Sequence, residues 1–201
     1  MSRRSIAIID SGGANIASLL YAFKRLDTPA ELTTAADKII AADRVILPGV
    51  GAARDAMQRL RDSKLIDVIR QLKQPVLGIC LGMQLLLDAS EEEDTECLGI
   101  IPGTAQKLQG NASCPVPNMG WCPTTSSANQ KLLADMKDGT YFYFLHSYAA
   151  PVSPYTIATA DHALQFSAIL ARDNFVAAQF HPERSAAAGA RLLRNFIGLA
   201  A

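Results

Sequence analysis

The chain carries no excess charge of either sign: 19 basic and 19 acidic residues cancel over 201 positions, and only residues 91–94 form a block of like charge. Nucleic acid or an anionic membrane surface would call for a basic field, which this sequence does not supply. Long apolar runs are also missing, so nothing approaches the length of a bilayer-spanning helix. Behind the basic start Met1-Ser2-Arg3-Arg4, the apolar stretch at residues 6–9 stops at Asp10. That is too short for a signal-peptide core, and the expected compartment is the cytoplasm. The four cysteines, Cys80, Cys97, Cys114 and Cys122, include no C-x-x-C pair. In a reducing compartment this argues against a disulfide framework and against zinc, so no metal and no other cofactor is expected. Repeats and low-complexity linkers are absent as well, and the length suits one domain over residues 1–201. What remains open is a small neutral substrate, a protein partner, or both.

Short apolar runs at residues 6–9, 45–47 and 76–79 alternate with helical patterns, as expected of parallel strands buried on both faces. Ile16, Leu19, Leu20 and Phe23 share one helical face, and Ala53, Ala56, Met57 and Leu60 share another. Beyond Gly99 the pattern turns strand-like at residues 141–145, 155–160, 166–170 and 175–180, which points to antiparallel pairing. Residues 110–130, rich in Gly, Asn, Ser and Pro, read as a long loop. Ser185 reads as the cap of a last helix whose buried stripe is Leu192, Leu193, Phe196 and Ile197. The expected fold is α/β: an open, mostly parallel twisted sheet with helices on both faces and a mixed, antiparallel extension. Sites in such folds form where loops leave the carboxyl ends of strands. Here those loops are residues 10–15, residues 48–51 and the turn at Cys80.

Gly78-Ile79-Cys80-Leu81-Gly82 lies between an apolar strand and the helical stretch at residues 83–87. This is a nucleophile-elbow pattern with sulfur in place of oxygen; the flanking glycines permit the sharp strand-to-helix turn that exposes the nucleophile. At 101 residues' distance, Gln179-Phe180-His181-Pro182-Glu183 offers a histidine to take the thiol proton and a carboxylate to orient its ring. His162, beside Asp161, reads as a solvated turn residue; His146 ends a strand and is a second candidate. Acyl transfer also needs donors for a developing oxyanion. An amide of the Pro48-Gly49-Val50-Gly51 loop, together with that of Leu81, could supply them.

LPGVG at 47–51, GICLGMQLL at 78–86 and QFHPE at 179–183 together resemble the class I, or triad, glutamine amidotransferases, and the resemblance spans nearly the whole chain. It implies Cys80 as nucleophile, His181 as base and Glu183 as the partner of the base. It further implies oxyanion amides from Val50 and Leu81, and a glutamine pocket lined by Gly49, Gly51, Gln84, His146, Ser147 and Tyr148. PNMGW at 117–121 and YFLHSY at 143–148 look like the branch that feeds ammonia to a separate TIM-barrel cyclase in histidine biosynthesis. That branch implies a heterodimer, with Asn15, Met119 and Trp121 at the partner interface. The sequence departs from the family pattern at Ser11, where many relatives carry an aromatic residue, at Ala14, where they carry glycine, and at Asn118, where histidine is expected.

Three other readings compete with this one. An elbow cysteine with a histidine suits a cysteine peptidase or γ-glutamyl hydrolase equally well, although PNMGW and HSY count against both. A docking scaffold that retains only the fold would be expected to lose a triad residue, and none is lost. Finally, the same chemistry could serve anthranilate, aminodeoxychorismate or guanylate synthesis.

Overall fold

The computed structural model describes residues 4–12, 16–126 and 130–200. Four strands open the chain: β1 (Ile6–Ile9), β2 (Ala30–Thr33), β3 (Arg44–Leu47) and β4 (Val76–Ile79). Between and after them lie the helices α1 (Ile16–Arg25), α2 (Ala36–Ala41), α3 (Ala53–Asp62), α4 (Ile66–Gln71) and α5 (Leu81–Leu85). The second half adds β5 (Ala89–Ser90), β6 (Thr95–Glu96), β7 (Thr104–Lys107), β8 (Asn118–Ser126), β9 (Thr140–His146), β10 (Tyr148–Ala149), β11 (Thr156–His162), β12 (Leu164–Arg172), β13 (Phe175–Ala178) and α6 (Ala186–Gly198). No described helix is long and apolar enough to cross a membrane.

One nine-stranded sheet runs in the order β2-β1-β3-β4-β13-β12-β11-β8-β9. The five strands from β2 to β13 pair in parallel, and β12, β11, β8 and β9 extend the sheet antiparallel. Side chains of a strand alternate between faces, so a strand covered on both sides must be apolar at every position. This is why residues 6–9, 45–47 and 76–79 are continuous apolar runs. Ala7, Ile9, Val45, Leu47 and Val76 pack on one face with Ile39 of α2, Met57 and Leu60 of α3 and Ile69 of α4. Ile6, Ile8, Ile46, Leu77 and Ile79 pack on the other with Phe23 of α1 and Leu192, Leu193 and Phe196 of α6. Each large side chain shut away in these layers contributes roughly 1.5–3 kcal/mol.

The structure corrects the sequence reading in several places. Residues 110–130 are not one loop, because β8 occupies Asn118–Ser126 and pairs with β9 from Asn118↔His146 to Thr124↔Thr140. β8 escapes the alternation test because its outward positions carry large apolar groups: Met119 is 67% exposed and Trp121 50%. β2, with the sequence Ala-Glu-Leu-Thr, is an edge strand whose half-exposed residues show no apolar run. A second, four-stranded sheet, β10-β7-β5-β6, is built from strands of two to four residues, too short for any periodicity to register. Ser185 does stand at the N-cap position of α6, but its side chain makes no cap bond: its hydroxyl donates to the His181 carbonyl at 2.7 Å and accepts from the Tyr143 amide at 2.9 Å. His162, at the end of β11, is partly exposed, and its Nε2 donates to the Pro115 carbonyl at 2.7 Å, a contact that the sequence does not announce.

Candidate active site

Cys80 follows β4 immediately and starts α5, at a φ of +54° and ψ of −110°. A non-glycine residue with positive φ is strained, and the surroundings must hold it there. Part of that hold is the Cys80 amide, which donates to the Ala178 carbonyl at 2.8 Å and so continues the β4–β13 ladder. The flanking glycines serve a different need from the one read in the sequence. Neither has a positive φ; what they provide is space. A Cβ at Gly82 would stand 1.8 Å from the Leu47 carbonyl oxygen, and one at Gly78 would stand 2.8 Å from that of Gly82. The elbow is thus pressed against the end of β3, with the strain placed on the cysteine itself.

Cys80 and His181 line a single cavity of about 480 Å³, together with Val50, Gly51, Leu81, Gln84, His146, Ser147 and Tyr148. The Cys80 sulfur lies 3.6 Å from the Leu145 carbonyl, an acceptor for the thiol, and 3.9 Å from Gln179 Nε2, a donor for the thiolate. His181 Nδ1 is 2.8 Å from Glu183 Oε1. Burial disfavours the His181 imidazolium, but hydrogen bonds to Cys80 and Glu183 and the charges of both groups outweigh it, and the pKa is pushed up to about 10. The backbone of His181 is clamped as well: its amide donates to the Tyr143 carbonyl at 2.9 Å, and its carbonyl accepts from Ser185. Elsewhere in the lining burial lowers His146 to about 4, against the hydrogen bond to the Tyr148 carbonyl that favours its charge, so its ring is neutral near pH 7. This geometry sets the Cys80 sulfur beside an imidazole that is protonated near pH 7, a proton donor for the group that leaves an acyl carbon.

The cavity does not gather every residue that the sequence nominates. Gly49 is buried behind the wall, where a Cβ would come within 2.8 Å of Leu81 Cβ; the loop presents Val50 and Gly51 instead. Glu183 stands behind His181, in a small crevice with Gly12, Ile16 and Gly49. Asn15 lies outside the described residues, and so does Ala14. Met119 and Trp121 are exposed on the outer face of β8, with the Trp121 ring edge-on to Tyr143 at 6.1 Å. Ser11 is buried and its hydroxyl donates to the Pro48 carbonyl at 2.8 Å, tethering the first residue of the 48–51 loop.

Sequence reasoning misses several lining or supporting residues, Pro117 and Leu145 of the lining among them. Gln179 is fully buried and accepts from Gln84 Nε2 at 3.2 Å, a contact between residues 95 positions apart. Arg184 lines the cavity with its guanidinium 4.5 Å over the Tyr143 ring. Glu92 lines it too, while accepting from the first amide of α3 at 2.8 Å. Gln179, Pro117 and Leu145 left a signal, since each lies inside one of the quoted motifs, whereas Glu92 and Arg184 lie outside them.

A strained cysteine at a strand-to-helix elbow, facing a histidine that is backed by a buried carboxylate, defines a cysteine-dependent acyl-transfer site on an α/β sheet. The glutamine amidotransferase class-I family matches residues 7–199, and the chain belongs to that family. The imidazole glycerol phosphate synthase subunit HisH of Shewanella loihica is 48% identical, over 98% of this chain and 92% of its own length. HisH of Pasteurella multocida is also 48% identical, over 96% and 98%. Among solved structures, a glutamine amidotransferase superposes with a TM-score of 0.74 at 16% identity, over 96% of this chain and 99% of its own. Another, from Thermotoga maritima, does so with a TM-score of 0.65 at 16% identity, over 98% and 82%. At that identity the structures speak for the fold, and the relatives for the family.

Proposed function

We propose that the chain is the glutaminase subunit of an imidazole glycerol phosphate synthase, working in the cytoplasm as a heterodimer with a TIM-barrel cyclase. The observation that carries this reading is the single cavity in which Cys80 and His181 meet the Val50-Gly51 loop and the turn of residues 146–148. Its walls also bring one acidic and one basic side chain, Glu92 and Arg184, which match the two charges of an amino-acid head group. Relatives at 48% identity bear the name of that subunit.

In the reaction, the Cys80 sulfur attacks the carboxamide carbon of glutamine, forming a C–S bond. The backbone amides of Val50 and Leu81 receive the oxyanion. His181, charged at rest, gives its proton to the departing nitrogen as the C–N bond breaks, and ammonia leaves. A water then attacks the glutamyl thioester with His181 taking its proton, and the C–S bond breaks to release glutamate and restore the thiolate beside a charged His181. Glu183 keeps the imidazole oriented and favours its charged form. Ammonia protonated in bulk water is no longer a nucleophile, so it must travel through a dry passage into the cyclase. There it joins the acceptor nucleotide, giving imidazole glycerol phosphate and an aminoimidazole carboxamide ribotide.

The test is a glutaminase assay of the chain with and without the cyclase, coupled to formation of imidazole glycerol phosphate. Glutamine-dependent synthesis by the pair supports the reading. Glutamine hydrolysis that is indifferent to the cyclase favours a free-standing hydrolase.

A further inference from the structure

His146 and Asn118 face each other in register at the end of the β8–β9 pair, 6% and 2% exposed. The contacts of His146 determine which of its nitrogens holds the proton. Nδ1 lies 2.9 Å from the Tyr148 carbonyl, which can only accept, so Nδ1 carries the hydrogen. The ring is packed edge-on against Phe166 at 5.0 Å and tilted against Phe144 at 5.7 Å, surroundings that keep it neutral. A neutral ring protonated at Nδ1 has a bare Nε2, and that atom needs a donor. The Asn118 amide nitrogen stands 3.1 Å from it. The other end of the amide agrees with this orientation, because Asn118 Oδ1 is 3.6 Å from the Cys122 sulfur, whose S–H donates to it.

The Tyr148 carbonyl that orients His146 also accepts from Gln84 Nε2 at 2.9 Å. Gln84 reaches Gln179, and Gln179 reaches the Cys80 sulfur. The turn of residues 146–148 is therefore held from two directions: from the nucleophile side through Gln84, and from β8 through Asn118. We infer that Asn118 is a positioning residue for glutamine binding, its amide donating to His146 Nε2 and thereby fixing the His146-Ser147-Tyr148 wall of the cavity. The inference rests on the glutaminase reading above. A histidine at 118 would have a ring N–H to donate where asparagine offers an amide N–H, whereas leucine or aspartate offers no donor.

The test uses the complex with the cyclase, in wild type, Asn118→Leu and Asn118→His. Asn118→Leu raises the KM for glutamine roughly tenfold, the effect of one lost buried hydrogen bond, while kcat changes by less than about threefold. Asn118→His brings KM back to within about threefold of wild type. In the Cys80→Ser background, calorimetry shows the same loss and recovery in glutamine affinity without any turnover. Nitrogen-15 NMR of wild type at pH 7 finds His146 neutral and protonated at Nδ1. An unchanged KM and affinity in Asn118→Leu, failure of Asn118→His to restore them, or a wild-type His146 protonated at Nε2 overturns the inference. A wild-type complex that binds glutamine but never hydrolyses it overturns the functional reading instead, and the calorimetric comparison still decides the role of Asn118.

Discussion

His181 Nδ1 and Glu183 Oε1 lie 2.8 Å apart, with side chains only 5% and 1% exposed. Water therefore cannot replace the carboxylate, which together with Cys80 favours the charge on His181. Glu183→Gln keeps the shape and removes the charge, so glutamine turnover in the complex should fall roughly a hundredfold or more. The loss should remain smaller than that caused by removing Cys80. Steady-state kinetics at saturating glutamine decide it, and a rate within twofold of wild type would show Glu183 to be a bystander.

Cys80→Ser should abolish glutamine-dependent synthesis while leaving the cyclase's synthesis from ammonium salt nearly intact, since only the ammonia source is lost. Parallel assays with the two nitrogen donors measure both. Equal failure with ammonium would place the defect in assembly of the complex rather than in chemistry at Cys80.

Two histidines shape the pH dependence of stability. His181 has its pKa raised from 6.5 to about 10, so its contribution is complete below pH 6.5 and is lost as pH rises through about 10. His146 is lowered from 6.5 to about 4, so stability falls as pH drops from 6.5 toward 4, where the unfolded chain takes up a proton that the folded one refuses. Two units of that window correspond to about 2–3 kcal/mol. In denaturant unfolding at pH 6.5 and 4.5, His146→Gln should lose less stability than wild type by about this amount. Identical losses in the two proteins would assign the acid limb to other groups.

The isolated chain should bind glutamine yet hydrolyse it slowly, and a nucleotide-loaded cyclase should accelerate it. Gly51 sits at φ +93° with open space around it, so the Val50-Gly51 segment can reorient an amide toward the cavity. If docking favours the competent loop by about 4 kcal/mol, the rate rises roughly a thousandfold. Glutaminase assays of the chain alone, with empty cyclase and with loaded cyclase measure the coupling; three equal rates would contradict it.

Gly82→Ala should be far more damaging than Gly51→Ala. The new methyl at Gly82 would lie 1.8 Å from a backbone oxygen of β3 that cannot step aside, a cost on the order of 3 kcal/mol or more. At Gly51 the cost is backbone strain alone, on the order of 1 kcal/mol. Thermal unfolding of the two variants compares them directly, and similar midpoints would mean that the elbow can move away from β3.

The elements legible in the sequence are those whose burial is uniform along the segment. β1, β3 and β4 stand out because both of their faces are covered, and α1, α3 and α6 because one face is. β8 stays hidden because its exposed face carries Met119 and Trp121, while its pairing with β9 joins residues as many as 28 positions apart. Likewise, the spacing of Cys80 between two glycines identifies an elbow, but only the packed structure shows that those glycines yield space to Leu47 and that the positive φ falls on the cysteine.

By itself, then, the sequence nominated the groups proposed to react: Cys80, His181 and Glu183 lie in short motifs whose chemistry is local. Tertiary structure alone decided the partners of those groups, including the Gln84–Gln179 strut, the Ser185 clamp on His181, the retreat of Gly49 behind the wall and the Asn118 amide on His146. The reason is physical. A hydrogen bond forms only when donor and acceptor come within about 3 Å in the right orientation. For residues many positions apart on different strands, that distance is set by how the sheet and its helices pack, and no local spacing records it.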